Sequence, residues 1–257
     1  MPTVHEIERS LYNWAPQELA ESWDNVGLLV GSGAQSVNRV LIALDVTEWV
    51  AQEAVERGAD LIVAHHPLMN CTWHEVQNIV DDNVQGRLIQ MLIKHNISAI
   101  CMHTNLDAAD GGVNDVLAKA LGLEGLSMLN EEKIGRVGTL KNEKGLEEFL
   151  SDVVQYLGCQ GLRYRDGGKL VYKVAVGGGA CAEYIPRAIA LGCDTFVTAD
   201  VKYHDFLDAN GLNLIDAGHF ETENPVCKAI QAYLADKFPN LETVISTSHR
   251  DVIQYYM

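Results

Sequence analysis

Runs of continuous apolar residues alternate with stretches of helical spacing along most of the chain. Thr3 and Glu6 stand ahead of Ile7, Leu11 and Trp14, a capping-box pair followed by one apolar stripe, which predicts an opening amphipathic helix. "RVLIALDV" (39–46) has the unbroken hydrophobicity of a buried strand. Thr47 then caps a helix carrying Val50, Ala51, Ala54 and Val55, which Gly58 ends before the apolar run Leu61–Ala64. A helix through Leu88 and Leu92 ends near Asn96, the strand "ISAICM" (97–102) follows, and a further helix starts after Gly112. The alternation then restarts with "RVGTL", the helix "GLEEFLSDVVQYLG", the strands "LRYR" and "KLVYKVAV", and another strand, helix and strand. Strands and helices alternating at this spacing predict an α/β fold with largely parallel or mixed sheets covered on both faces.

The restart is also a repeat. Laid without gaps over "KVAVGGGACAEYIPRAIALGCDTFVTAD", the stretch "RVLIALDVTEWVAQEAVERGADLIVAHH" pairs Val40 with Val174, Ala54 with Ala188, Gly58 with Gly192, Asp60 with Asp194 and Val63 with Val197. Beyond this window "MHTNLD" and "LNLIDAGHFETE" both carry His-x-x-x-acid, as His103 with Asp107 and His219 with Glu223. Two similar α/β halves are expected, a first domain over 1–126 and a second over 127–257, with the last strand, in 242–257, able to return to the first.

Composition narrows the function classes. Thirty-five acidic against 19 basic residues give a net charge of -16, which repels phosphate backbones and anionic lipid, and there is no Lys/Arg cluster to reverse it. Nucleic acid is therefore not an expected partner. The amino terminus lacks an apolar signal core, and no stretch approaches the roughly 20 apolar residues that span a bilayer. A cytoplasmic protein without a membrane partner is expected. The six cysteines, Cys71, Cys101, Cys159, Cys181, Cys193 and Cys227, show no C-x-x-C spacing and fall mostly in apolar segments, as reduced buried thiols do.

The chemistry gathers where strands run out. In α/β sheets functional groups collect beyond the carboxyl ends of strands, and His65, His66, His103 and His219 all fall there, with Asp107 and Glu223 close by. One histidine at a strand end is usually a hydrogen-bonded loop residue; four with two acids at matched spacing are a ligand set. Imidazoles and carboxylates suit zinc, iron, manganese or nickel better than calcium. Neighbours on an extended strand point to opposite faces, so His65 and His66 are expected to splay apart and serve two different ions. Such a pair binds a bridging water and lowers its pKa to make a nucleophile.

"WDNVGLLVG", "IVAHHP", "HTNLD", "ADVKYHD" and "DAGHFETE", in this order over nearly the whole chain, resemble the NGG-interacting-factor-three-like family, also labelled GTP cyclohydrolase 1 type 2 homologs. The resemblance implies two similar α/β domains, a dinuclear metal site in the cleft between them and a ring-shaped homohexamer. It carries the metal ligands onto His65, His66, Asp107, His219 and Glu223, and leaves His103 as either a ligand or a residue that orients one.

Other positions carry weaker signals. Asn25 reads as the cap of a turn before a Gly-flanked apolar run, with lining of the cleft as its alternative. Asp200 aligns with His66 in the repeat, which brings Lys202 in as a candidate cleft residue and His204 as a candidate proton donor, against a plain surface histidine. Gly177 to Gly179 lack a full phosphate-binding pattern and read as a tight turn rather than an anion site. His95 needs only the helix dipole as explanation, and His5, His74 and His249 have no partner legible in the sequence. Two functions follow: a metal-dependent hydrolase acting on a small nucleotide-like or phosphorylated molecule, or a metal-handling or regulatory ring-forming protein without catalysis.

Overall fold

The computed structural model describes residues 1–70 and 76–256; Cys71 and His74 lie outside them. The strands are β1 (Gly27–Val30), β2 (Arg39–Ala43), β3 (Leu61–Ala64), β4 (Ser98–Cys101), β5 (Glu124–Met128), β6 (Arg136–Lys144), β7 (Arg163–Arg165), β8 (Val171–Val176), β9 (Thr195–Thr198), β10 (Asn213–Asp216) and β11 (Glu242–Ile245). The α-helices are α1 (Val4–Trp14), α2 (Glu48–Arg57), α3 (Val84–Lys94), α4 (Thr104–Ala108), α5 (Val113–Ala120), α6 (Leu146–Leu157), α7 (Ile185–Ala190), α8 (Tyr203–Asp208), α9 (His219–Glu223) and α10 (Val226–Lys237). The fold is mixed α/β with two sheets of parallel and antiparallel strands.

The chain forms two compact units, Met1–Ala109 with Cys227–Arg250, and Asp110–Val226 with Asp251–Met257. They divide at 109/110, earlier than the 126/127 read from the sequence, because α5 and β5 pack with the second sheet. The first unit has the strand order β1-β4-β3-β2-β11. β2, β3 and β4 are parallel, β1 runs antiparallel to β4, and β11 pairs parallel with β2. Alternate strand residues Leu41, Ala43, Ile62, Ala64, Ala99 and Cys101 pack against Val50, Ala51 and Ala54 of α2 and Leu88, Ile89 and Leu92 of α3. The capping pair at Thr3 and Glu6 closes α1 as read, and Gly58 ends α2 in the left-handed conformation, φ 62°.

The second unit has the order β5-β6-β8-β9-β10-β7, with β8, β9 and β10 parallel and the outer strands antiparallel. Val174, Val176, Val197 and Ile215 face α5 and α6, while Ala175, Phe196 and Leu214 face α7. Because both faces are covered, the covered stretches of these strands are apolar, Val174, Ala175 and Val176 in β8, Phe196 and Val197 in β9, and Leu214 and Ile215 in β10, with polar residues at the strand ends.

The repeat is real at the level of backbone register. Val40 pairs with Leu61 in the first unit and Val174 with Thr195 in the second, each the aligned equivalent of the other. Asp60 accepts hydrogen bonds from Asn38 N and Arg39 N, and Asp194 from Tyr172 N and Lys173 N, so one carboxylate ties down the same strand entry in each unit. Cys101, Cys159, Cys181, Cys193 and Cys227 are buried thiols, and no helix among the described residues is long and apolar enough to cross a membrane.

Candidate metal centre

Each unit presents its own set of donors at the carboxyl ends of its parallel strands. In the first, β3 stops at Ala64 and the next two amides, His65 N and His66 N, both donate to Leu44 O at 3.1 and 2.9 Å. Two amides sharing one carbonyl mean that the extended backbone has ended, and alternation of side chains ends with it. The expected splaying of His65 and His66 is therefore corrected: their ring centroids lie 4.9 Å apart. His103 follows β4 as the N-cap residue of α4, and its ring lies 5.2 Å from that of His65 and 5.6 Å from that of His66. One nitrogen from each of the three rings falls within 4.8 Å of the others. Asp107, one helical turn beyond His103, places Oδ1 3.7 Å from His65 Nε2. His65, His103 and Asp107 are buried and His66 nearly so.

In the second unit Ala217 N still donates to Thr198 O, Gly218 turns the chain at φ 91°, and α9 begins with His219. His219 Nε2 lies 3.1 Å from Glu223 Oε2. That spacing serves a hydrogen bond from a protonated ring and equally two ligands of one cation. The two His-x-x-x-acid motifs are one residue out of step. Ser98 and Asn213 take equivalent places in their sheets, opposite Leu61 and Thr195, so His103 corresponds to Gly218 and His219 to Thr104.

Every one of these imidazoles has its Nδ1 committed. His65 Nδ1 is 2.7 Å from Met102 O, His66 Nδ1 2.8 Å from Asp45 Oδ1, His103 Nδ1 2.9 Å from Asp24 Oδ1 and His219 Nδ1 2.7 Å from Asp200 Oδ2. A carbonyl or carboxylate only accepts, so each ring donates Nδ1–H and a neutral ring keeps its lone pair on Nε2. That is the tautomer and orientation of a metal-binding histidine, and on this ground the donor set fits a divalent cation.

The charges act on two of the outer carboxylates and on one of the rings. Burial pushes the Asp24 carboxyl up, but hydrogen bonds from His103 and Thr104 outweigh it and hold the group at about 2, so Asp24 stays an acceptor. The hydrogen bond from His219 holds Asp200 below the ordinary aspartate range. Burial alone would lower the His219 imidazole; Glu223 and Asp200 reverse this and lift it to about 11. A cation taken up at Nε2 of this ring competes with a tightly held proton. Asp200 adopts a left-handed conformation, φ 53°, a cost accepted where its carboxylate must meet His219.

The Duf34/NIF3 (NGG1p interacting factor 3) family model matches residues 2–252. The chain belongs to this family. A "GTP cyclohydrolase 1 type 2 homolog" of Clostridium perfringens is 35% identical over 262 residues, covering 98% of this chain and 99% of that one. Another of that name, from Streptomyces coelicolor, is 37% identical over 248 residues, covering 91% and 86%. Among solved structures, a Bacillus cereus protein related to NIF3 superposes with a TM-score of 0.91 at 28% identity over 100% of this chain and 99% of its own. HcgD from Methanocaldococcus jannaschii superposes at 0.83 with 29% identity, over 95% and 97%.

The other positions that the sequence of this NIF3 chain singles out have surroundings of their own. Asn25 donates Nδ2–H to Met69 O at 2.8 Å and its backbone N–H to Asp24 Oδ1, just after the turn that Asp24 N closes on Glu21 O. Lys202 and His204 are exposed at the start of α8, where the His204 ring meets the neighbouring Tyr203 ring edge-on with centroids 5.4 Å apart. The glycine loop is a turn whose amides are taken: Gly178 N donates to Asn114 Oδ1 and Gly179 N to Thr222 Oγ1. His5 pairs with Glu8 at 3.0 Å, and His249 Nδ1 lies 3.4 Å from Ser246 O. Sequence reading missed the three aspartates behind the imidazoles. Asp200 carried a signal, its alignment with His66; Asp45 ends an apolar run and Asp24 stands in "WDN", neither beside its histidine in sequence.

Proposed function

We propose that this chain binds two divalent metal ions, zinc, iron, manganese or nickel, through His65, His66, Asp107, His219 and Glu223. On the same reading His103 is a further ligand or orients one. The observation that carries this is the commitment of all four Nδ1 atoms to acceptors, which makes Nε2 the nitrogen that each ring, when neutral, would turn to a cation. When bound, such ions supply Lewis acidity and acidify coordinated water. The chain's own residues do the rest: Asp24, Asp45, Asp200 and the Met102 carbonyl hold the ring protons on Nδ1, while burial of His65, Asp107 and Glu223 limits the entry of bulk water.

The reaction class we propose is metal-dependent hydrolysis of a small nucleotide-like or phosphorylated molecule. The name borne by the Clostridium and Streptomyces relatives supports the nucleotide class. Family membership also supports self-association as a homohexamer, and the sequence reading a cytoplasmic place. Elemental analysis of untagged protein tests the metal reading, with two ions per chain as the expected result. Glu223→Gln is expected to lose metal and turnover of a nucleotide and phosphoester panel while remaining folded. Undiminished turnover in that variant refutes hydrolysis at this centre; metal-loaded wild type that turns over nothing on the panel assigns the chain to metal handling instead.

A further inference from the structure

The glycine loop after β8 has a use that a tight turn alone does not explain. We propose that Gly179 is a positioning residue for Glu223: its bare Cα is the surface against which the carboxylate is set, and glycine is required there for Glu223 and His219 to share a cation. The inference rests on the metal reading of those two residues. A Cβ at position 179 would stand 2.2 Å from Glu223 Oε1 and 3.1 Å from His219 Nε2. One at position 178 would stand 2.9 Å from Val113 Cγ1 and 3.3 Å from Glu223 Cγ. Position 179 also has a φ of +64°, which a side chain disfavours.

The loop has little freedom to retreat. Gly178 N donates to Asn114 Oδ1 at 2.9 Å and Gly179 N to Thr222 Oγ1 at 3.0 Å. Gly179 O accepts from Thr198 Oγ1 at 3.0 Å, Ala199 N at 2.9 Å and Cys181 N at 3.1 Å. Asn114, Thr198 and Thr222 are themselves buried. A methyl group added at 179 is therefore accommodated by the far end of Glu223, which is the donor atom itself. The internal repeat makes the same point by contrast. The residue aligned with Gly179 is Asp45, whose carboxylate accepts from His66 Nδ1: in one unit this loop position supplies a partner, in the other it supplies room.

The test measures zinc retention by equilibrium dialysis of the full chain, with folding followed by circular dichroism. Gly179→Ala is expected to stay folded and bind zinc at least tenfold more weakly. Gly122→Ala is the control: its φ is +73° and nothing lies within 4 Å of the added Cβ, so it carries the left-handed cost without the clash and should keep wild-type zinc. Glu223→Asp shortens the side chain and relieves the contact. The double variant is therefore expected to bind no more weakly than the worse single variant, whereas independent effects would multiply. Multiplying effects, or Gly179→Ala with wild-type zinc, overturn the inference. Wild type without any metal would remove the metal reading and this inference together; equal loading of wild type and Gly179→Ala removes the inference alone. Should Gly179→Ala fail to fold, the double variant decides: restored folding supports the inference and continued failure refutes it.

Discussion

Asp24 shows how much a single buried carboxylate organises. Its Oδ1 accepts from His103 Nδ1 and from Asn25 N, and its Oδ2 from Thr104 N at 3.0 Å and Thr104 Oγ1 at 2.5 Å. The side chain has no exposure, so the carboxylate orients the ring with no competition from water. Asp24→Asn keeps the size and removes the charge, leaving an amide that fits these donors only by losing one of them. Loss of such an outer hydrogen bond is expected to weaken metal binding roughly ten- to hundredfold, measured by competition with a chromogenic chelator; unchanged affinity would mean that His103 needs no partner. Asp45→Asn on His66 is the parallel case, with a smaller effect expected because the Asp45 side chain is 49% exposed and water can replace it.

Between elements, the clearest tie is made by Glu53 of α2 to the segment after β11. The carboxylate, 5% exposed, accepts from Ser246 Oγ at 2.5 Å, Ser248 N at 2.8 Å, Thr247 N at 3.1 Å and Arg57 Nε at 2.7 Å. Burial would raise its pKa, but these donors, Ser246 foremost, hold it well below the ordinary glutamate value of 4.5. A carboxylate whose folded pKa lies below the unfolded one adds stability at pH values above the unfolded pKa. That stability is lost as pH falls through the folded value. Unfolding by urea across the acid range should therefore show stability declining below about pH 4.5. Glu53→Gln should flatten that decline and cost about 2 kcal/mol at neutral pH. An unchanged acid limb in the variant would exclude Glu53 as its source.

At the scale of the whole molecule the chain passes between its two units three times, after Ala109, Val226 and Arg250. The first unit includes α10 almost entirely and β11, both far along the chain. A fragment covering 1–126 would lack the strand that pairs with β2 and the helix residue Tyr233, whose ring stacks on Trp14 at 4.8 Å. Such a fragment is expected to be unfolded or aggregated by circular dichroism and sedimentation, and recovery of a compact monomer from it would show that the carboxyl-terminal return is dispensable. For the intact chain, the proposed hexamer predicts a sedimenting mass six times the 28.3-kDa chain; a monomer at micromolar concentration would discard it.

What the sequence determined by itself was periodic or local. Short apolar runs marked the parallel strands, because covering both faces of a strand leaves few places in it for polar side chains. Thr3 with Glu6, and Gly58 after α2, marked helix ends, because capping is satisfied within a few residues. The five identities of the repeat anticipated equal strand register, since Asp60 and Asp194 bind backbone at the same point of each unit. The outer partners of the imidazoles were beyond such reading. Asp24 lies 79 residues from His103 and Asp45 21 residues from His66, and contacts of that span exist only once the sheet has formed. The disposition of His65 beside His66 was likewise a tertiary decision: pairing of both amides with Leu44 O ends the strand, and a sequence pattern carries no record of which carbonyl an amide will meet.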